Sequence, residues 1–378
     1  MNDDITMNMT DIDFTKVQHY LSIDTKEFTD ILKQLNTIIN LKGSKLSRGI
    51  TLKVWDNSSI IAICPNELYY FKADINAVTT FKPDTCIYLD YAFLQKLSRF
   101  FRNDIYIFEL DGKYYLRLQT GNLELLNPSL LDDEKKKLVN QYEIKDTKYS
   151  YPINSIKRKL NALYSITDFE VEANKRWINS KDGVVTFKSP LLMAKSDFSF
   201  INAKIDYKVL NYLSYICNTA ETNRTIDIYE VVSSIIPKYA ICYGGTMMIS
   251  NYPKSSDVLK VLNIFEDLPK FTVVDYSDLK YKLEYADSIT YAKGVVTFIN
   301  RDDKLIGKIK LQNNSETEVE IPVLGEMCLK RSEQIRVNFK TLLVALNSLD
   351  SDLETYFGLK NGLLYLINSD ISLAMVTF

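Results

Sequence analysis

The sequence predicts an α+β protein of three tandem domains, each made of two halves in which one helix leads into antiparallel strands. Three observations predict it. A helix-opening phrase recurs: "LDYAFLQKLSRFF" from Leu89, "IDYKVLNYLSYIC" from Ile205, "VDYSDLKYKLEYA" from Val274 and "VNFKTLLVALNSL" from Val337. Alternating, aromatic and β-branched segments follow each copy, the pattern of half-buried strands. The aromatics Tyr91, Tyr207 and Phe339 lie 116 and 132 residues apart, the size of a domain and too long for a solenoid period.

Taken in order, the first helix opens at "IDTKEFTDILKQLNTI" from Ile23, a degenerate copy of the phrase. The second opens at Asp90, whose carboxylate suits an N-cap, with Leu94, Leu97 and Phe101 at helical spacing as a core stripe. "IYIFEL", "KYYLRLQT" and "NLELL" then alternate in twos, joined by Asp111-Gly112 and Gly121-Asn122 as hairpin turns. The third helix opens at "YPINSIKRKLNALYSI" and precedes "GVVTF" at Gly183. The fourth, from Asp206, precedes "TIDIYEVV", "KYAICY" and "TMMISNY", with Gly244-Gly245 as a hairpin turn. The fifth, after Val274, leads to "SITYA", "GVVTFINR" and "LIGKIKLQ". The sixth, after Val337, leads to "LETYFGL", "GLLYLIN" and "ISLAMVTF". The charge-rich "NPSLLDDEKKKLVNQYEIKDTKYSY" and the segment "NYPKSSDVLKVLNIFEDLPKF" read as boundaries, giving domains 1–130, 142–253 and 268–378.

Composition bounds the rest. With 46% hydrophobic and 25% charged residues the chain is globular, and its net charge of −2 advertises no overall affinity for polyanions. Five scattered cysteines with no CxxC read as reduced thiols of a cytoplasmic protein. The acidic N-terminus "MNDDITMNMTDIDF" is no signal peptide, and no apolar run reaches the ~20 residues of a membrane span. The single histidine, His19, falls in a strand-like segment and reads as a packed or surface residue. There is no phosphate loop, HExxH, GxSxG or DxDxDG pattern, so the sequence offers no catalytic residue, metal site or cofactor site and reads as a non-enzyme. The run "LLDDEKKKL" reads as a solvated linker.

Basic residues lie off the apolar stripes of all six helices: Lys33 on the first, Lys96, Arg99 and Arg102 on the second, Lys157, Arg158 and Lys159 on the third, and Lys208, Lys280, Lys282 and Lys340 on the rest. If these helices faced one space, it would be electropositive while the whole chain stayed acidic, attracting phosphates without reading sequence.

In this alternating order the chain resembles the ring-shaped DNA sliding clamps, specifically the bacterial DNA polymerase III beta-subunit type. The likeness is strongest in "IRVNFKTLLVALNSLDSDLETYFGL…LLYLINS…SLAMVTF" and in "NYPKSSDVL". The resemblance implies three clamp domains forming half of a head-to-tail homodimeric ring, with helices lining the hole. It implies a processivity factor that encircles double-stranded DNA, tethers a DNA polymerase and is placed by a clamp loader. DNA-facing roles then fall to Lys96, Arg99, Arg102, Lys157, Lys159, Lys208, Lys280 and Lys340. A hydrophobic cleft for partner peptides falls at Leu192, Met193, Pro253, Val258, Leu373 and Met375. "SPLLMA" lacks the family's histidine and arginine, and the C-terminus lacks its Met-Pro-Met run. The richness in Asn, Ile, Lys and Tyr fits a bacteriophage version from an AT-rich genome. The competing reading is a β-rich structural or interaction protein such as a phage virion component, which explains the strands and the 25 tyrosines but not the basic helices.

Overall fold

The computed structural model describes residues 13–39, 46–65, 69–101, 104–118, 121–125, 142–169, 176–198, 200–232, 237–252, 259–290, 294–310, 316–331, 333–350 and 352–378. Seven α-helices lie in these stretches: α1 (Thr25–Asn36), α2 (Tyr91–Leu97), α3 (Ile153–Phe169), α4 (Tyr207–Thr219), α5 (Leu259–Glu266), α6 (Tyr276–Thr290) and α7 (Phe339–Ser348). The chain divides into two compact units, Met1–Tyr151 with Thr225–Tyr252, and Pro152–Arg224 with Pro253–Phe378. The division cuts through the second of the three sequence repeats.

The recurring phrase is a strand end feeding a capped helix. Its acidic or amide residue takes up backbone N–H groups that the first turn leaves unpaired. Glu27 N donates to Asp24 at 2.8 Å, Phe93 N to Asp90 at 3.2 Å, Asp278 N to Asp275 at 3.0 Å, and Thr341 N to Asn338 at 3.0 Å. Asp206 accepts from both Lys208 N and Val209 N, at 2.8 and 3.1 Å. The aromatic that follows is buried in α2, α6 and α7, where Tyr91, Tyr276 and Phe339 join the core. The expected stripe of α2, Leu94, Leu97 and Phe101, is buried too.

The first unit is built on a 12-stranded antiparallel sheet. Its strand His19–Asp24 pairs with both Tyr69–Thr79 and Asp104–Leu110. The hairpin turn at Asp111-Gly112 has φ of 50° and 74°, the left-handed pair that a two-residue turn of primed type requires. Tyr69–Thr79 also pairs with Thr246–Asn251, so strands of the second repeat extend the sheet of the first. Such pairing satisfies backbone groups that an open edge would leave to chance partners. Gly245 at this junction is closely packed: a Cβ there would come within 3.2 Å of the Asp74 carbonyl oxygen, so the neighbour would have to give by a few tenths of an ångström. α1 buries Phe28, Ile31, Leu32 and Leu35 in this unit. His19 is half-buried, its Nδ1 3.0 Å from the Thr80 carbonyl oxygen and its ring against Phe81.

The second unit holds a nine-stranded sheet and a four-stranded sheet. The nine-stranded sheet again joins two repeats, through pairing of Leu192–Asp197 with Ser372–Val376. Four segments differ from the sequence expectation. In the first unit Gly121-Asn122 is no turn but opens the strand Gly121–Leu125, with Gly121 opposite Leu118. "SITYA" is no strand, since Ser288–Thr290 continue α6, with Ser288 Oγ bonded back to the Tyr285 carbonyl; Tyr291 and Ala292 lie outside the described residues. The segment "VLKVLNIFE" contains a seventh helix, α5, where the sequence suggested only a boundary. Its apolar residues Val261 and Phe265 recur at i, i+4 and find a sheet face to cover, which overrides the proline- and serine-rich start of the segment. The end of the first linker likewise forms a strand, Ile144–Pro152, paired with Thr225–Val231.

Candidate functional site

In the second unit four helices stand side by side in the order α4, α3, α7, α6. Each buries one apolar face: Ile156, Leu160 and Leu163 on α3, Leu210 and Leu213 on α4, Leu279 and Leu283 on α6, and Leu342 and Leu346 on α7. Two polar devices tie neighbours together. Between α3 and α4, Asn161 Nδ2 donates to Asn218 Oδ1 at 3.0 Å, while Asn161 Oδ1 accepts from Ser214 Oγ at 2.7 Å. Between α6 and α7, the buried Tyr276 hydroxyl donates to the Leu346 and Leu349 carbonyls at 2.6 and 3.2 Å, satisfying oxygens that a helix end leaves unpaired. Burial, with the nearby Glu284 and Asp350, pushes this phenol up to about 12.

The outer faces of α3, α6 and α7 frame a groove of about 430 Å³ whose lining includes Lys157, Arg158, Asn161, Lys280, Asn347 and Asp350. Its charge is less positive than the sequence suggests, because acidic residues stand among the helices as well as in linkers. Arg158 Nε lies 2.9 Å from Asp350 Oδ2, and its guanidinium also reaches Asp352 at 3.9 Å. Lys280 pairs with Glu284 at 3.9 Å and lies over the Tyr276 ring, while Lys282 pairs with Asp278 and donates to the Glu320 carbonyl.

The expected DNA-facing residues therefore divide. Lys157, Lys280 and Lys340 lie on the helix row, with Lys157 and Lys280 lining the groove and Lys340 exposed on α7. Lys159 is turned to the sheet, donating to the Asp197 carbonyl at 2.9 Å beside the Phe198 ring. Lys208 is half-buried at the start of α4; burial holds its ammonium below the usual lysine value, with Asp206 opposing. Lys96 is exposed on α2 in the other unit. Arg99 belongs to a short 3-10 turn, Ser98–Phe100, its side chain outside the described residues, as is all of Arg102.

Of the expected cleft residues, Leu192, Met193, Leu373 and Met375 come together on two paired strands. Leu192 faces Met375 across the pair, and Ala194 faces Leu373. These residues share one face of the sheet and are fully buried. Met193 sits on the opposite face with its partner Ala374, packed with Val261 and Phe265 of α5 and with Tyr365. Pro253 and Val258 lie outside the described residues. The sequence reading missed α5 and this cluster, although the apolar spacing of Val261, Ile264 and Phe265 could have signalled them. It also missed Asp350, whose role depends on a contact across nearly two hundred residues.

Among the described residues no helix is long and apolar enough to cross a membrane, and no three His, Cys, Asp or Glu side chains converge as a metal site. No protein-family model and no curated protein sequence matches the chain. Solved structures do match it. The DNA polymerase sliding clamp of Bacillus subtilis is 13% identical over 95% of this chain and 99% of that one, with a TM-score of 0.74. The beta chain of DNA polymerase III from Streptococcus pneumoniae is 13% identical over 96% and 100%, with a TM-score of 0.74. The sliding clamp of Caulobacter crescentus is 11% identical over 95% and 99%, also at 0.74. The chain thus has, over nearly its whole length, the α+β fold of the DNA polymerase III beta sliding clamps.

Proposed function

We propose that this chain is a DNA polymerase processivity factor, a divergent sliding clamp that encircles duplex DNA and tethers the replicative polymerase without catalysing a reaction. In this reading its three domains, 1–130, 142–253 and 268–378, form half of a head-to-tail homodimeric ring in the cytoplasm of a bacterium or a phage-infected host, and a clamp loader places the ring on DNA. The observation that carries the reading is the correspondence of fold from end to end: 95–96% of this chain matches 98–100% of each sliding-clamp chain compared.

Charge agrees with the reading. A ring holds DNA by topology, so it needs few phosphate contacts, and tight ones would impede sliding. Of the eight basic residues first assigned to DNA, Lys157, Lys280 and Lys340 are the three that the helix row presents. Partner peptides in this reading dock at a hydrophobic cleft of Leu192, Met193, Pro253, Val258, Leu373 and Met375; Leu192, Met193, Leu373 and Met375 are buried, so a peptide would reach them only where neighbouring side chains give way.

Retention on DNA tests the proposal. Protein loaded on nicked circular duplex remains bound through a high-salt wash and is released when the circle is cut. Imaging shows an annulus, and solution mass shows a dimer. Equal retention on cut and circular DNA, or particles without a hole, refutes the clamp reading.

A further inference from the structure

The outermost face of α6 carries two tyrosines that the fold does not use. Tyr281 is 67% exposed and Tyr285 58% exposed, the two most exposed tyrosines among the described residues. They stand one helical turn apart with ring centroids 6.4 Å apart and planes inclined by 23°, so they stack on one another and still present ring faces to solvent. The buried stripe of the same helix is Tyr276, Leu279, Leu283 and Ala286, and at 3.6 residues per turn Tyr281 and Tyr285 project from the opposite side. Core packing therefore gives no reason for them. Exposing two large rings in contact is costly in water, and such a pair marks a surface that meets something flat or apolar.

The surroundings say what. Lys280, next in sequence to Tyr281, turns about 100° around the helix and lines the groove that also receives Lys157 and Arg158. Among the lining side chains Lys157, Arg158 and Lys280 stand with the carboxylate of Asp350, Asp352 also reaches Arg158 at 3.9 Å, and Asn161 and Asn347 add neutral hydrogen-bonding groups. Glu284 tempers the charge by pairing with Lys280, but at 3.9 Å and on the surface the pair is weak and easily exchanged for a phosphate. An aromatic stack beside a groove lined by cations and amides is the chemistry that holds single-stranded nucleic acid: backbone in the groove, unpaired bases on the rings. A duplex keeps its bases stacked inside and offers such rings little.

We propose that Tyr281 and Tyr285, with the Lys157–Lys280 groove, form a binding platform for single-stranded DNA, in which the groove cations serve duplex as well and the ring pair serves single strands. It rests on the clamp reading only in that DNA passes this helix row; the stacking chemistry stands by itself. On a ring around a primer–template, such a platform would engage the unpaired stretch and bias where the ring stops.

The test uses the full chain and a short fluorescein-labelled oligothymidylate, compared by anisotropy with a blunt duplex of equal length. Because a base stacked on an aromatic ring contributes about tenfold or more, Y281A/Y285A lowers single-strand affinity by about 10- to 100-fold and leaves duplex affinity within about twofold. Y281F/Y285F, which keeps the rings, retains the wild-type value. K280A weakens both ligands and reduces the salt slope by about 1. Equal single-strand binding by wild type and Y281A/Y285A overturns the assignment, as does an equal loss on duplex. A change in solution mass of Y281A/Y285A without a change in single-strand binding also overturns it, and assigns the pair to a contact between copies. Retention of the wild type on circular duplex is measured in parallel, so loss of the clamp reading and loss of the platform register in different assays.

Discussion

On the clamp reading, replacing Asp350 with asparagine should strengthen the grip on DNA proposed for this chain. Arg158 lines the groove, where Asp350 holds its Nε at 2.9 Å. The substitution keeps shape and keeps an oxygen to accept from Asp352 N, which now donates to Asp350 at 3.0 Å. The fold should tolerate it: the Arg158 side chain is 52% exposed and Asp350 23%, so solvent screens the pair and its loss costs less than about 1 kcal/mol. What changes is the count of cations facing solvent. One added phosphate contact steepens the plot of log affinity against log salt by about 0.9. Relative to 1 M salt, that contact is worth about 15-fold in affinity at 50 mM and about 4-fold at 200 mM. Anisotropy titrations on duplex at several salt concentrations, for wild type, D350N and R158A, read the slopes directly. R158A should barely change the wild-type slope, because Asp350 already cancels that charge. A D350N slope equal to wild type, with the protein folded, would falsify the proposal that Arg158 meets phosphate once Asp350 no longer holds it.

Three further outcomes follow from the same contacts. Asp206→Ala removes the cap that receives Lys208 N and Val209 N, and should cost about 1 kcal/mol, read as a lowered unfolding midpoint in urea. Glu318 is held down to about 2, first by hydrogen bonds from Arg301 and then from Lys308. Its folded value lies below the ordinary 4.5, so its contribution is fully present above that pH and is lost as pH falls towards about 2. A carboxyl titration by NMR should find it ionised at pH 3.5, and a midpoint near 4.5 would show that the bidentate Arg301 pair does not form in solution. Burial pushes the Cys64 thiol up to about 12 and those of Cys217 and Cys242 to about 11, so at pH 8 native protein should alkylate far more slowly at these three than unfolded protein. Rapid labelling of Cys64 under native conditions would contradict its burial.

The helices and their capping residues were legible in the sequence because both are local. An acidic residue before an apolar stripe predicts its own hydrogen bond, as Asp90 and Asp206 show, and turn pairs such as Asp111-Gly112 declare their backbone through the left-handed φ they tolerate. α5 was hidden by its polar, proline-containing approach, and "SITYA" misled because a short β-branched run at a helix end has no period of its own. Lysines on helices were visible, but which of them meet solvent was not. Lys159 and Lys280 look alike in the sequence, yet one is spent on a sheet carbonyl and the other lines the groove.

By itself, then, the order of residues determined the repeating unit, the caps and the helix faces, since these depend on neighbours within a few positions. Tertiary structure alone decided that strands of one repeat extend the sheet of another, that Leu192 lies opposite Met375 on paired strands, and that Asp350 neutralises Arg158. Each of these joins residues far apart in the chain. Which distant groups meet is settled by how helices and strands pack, because a strand edge or a charge takes the partner that folding brings within reach.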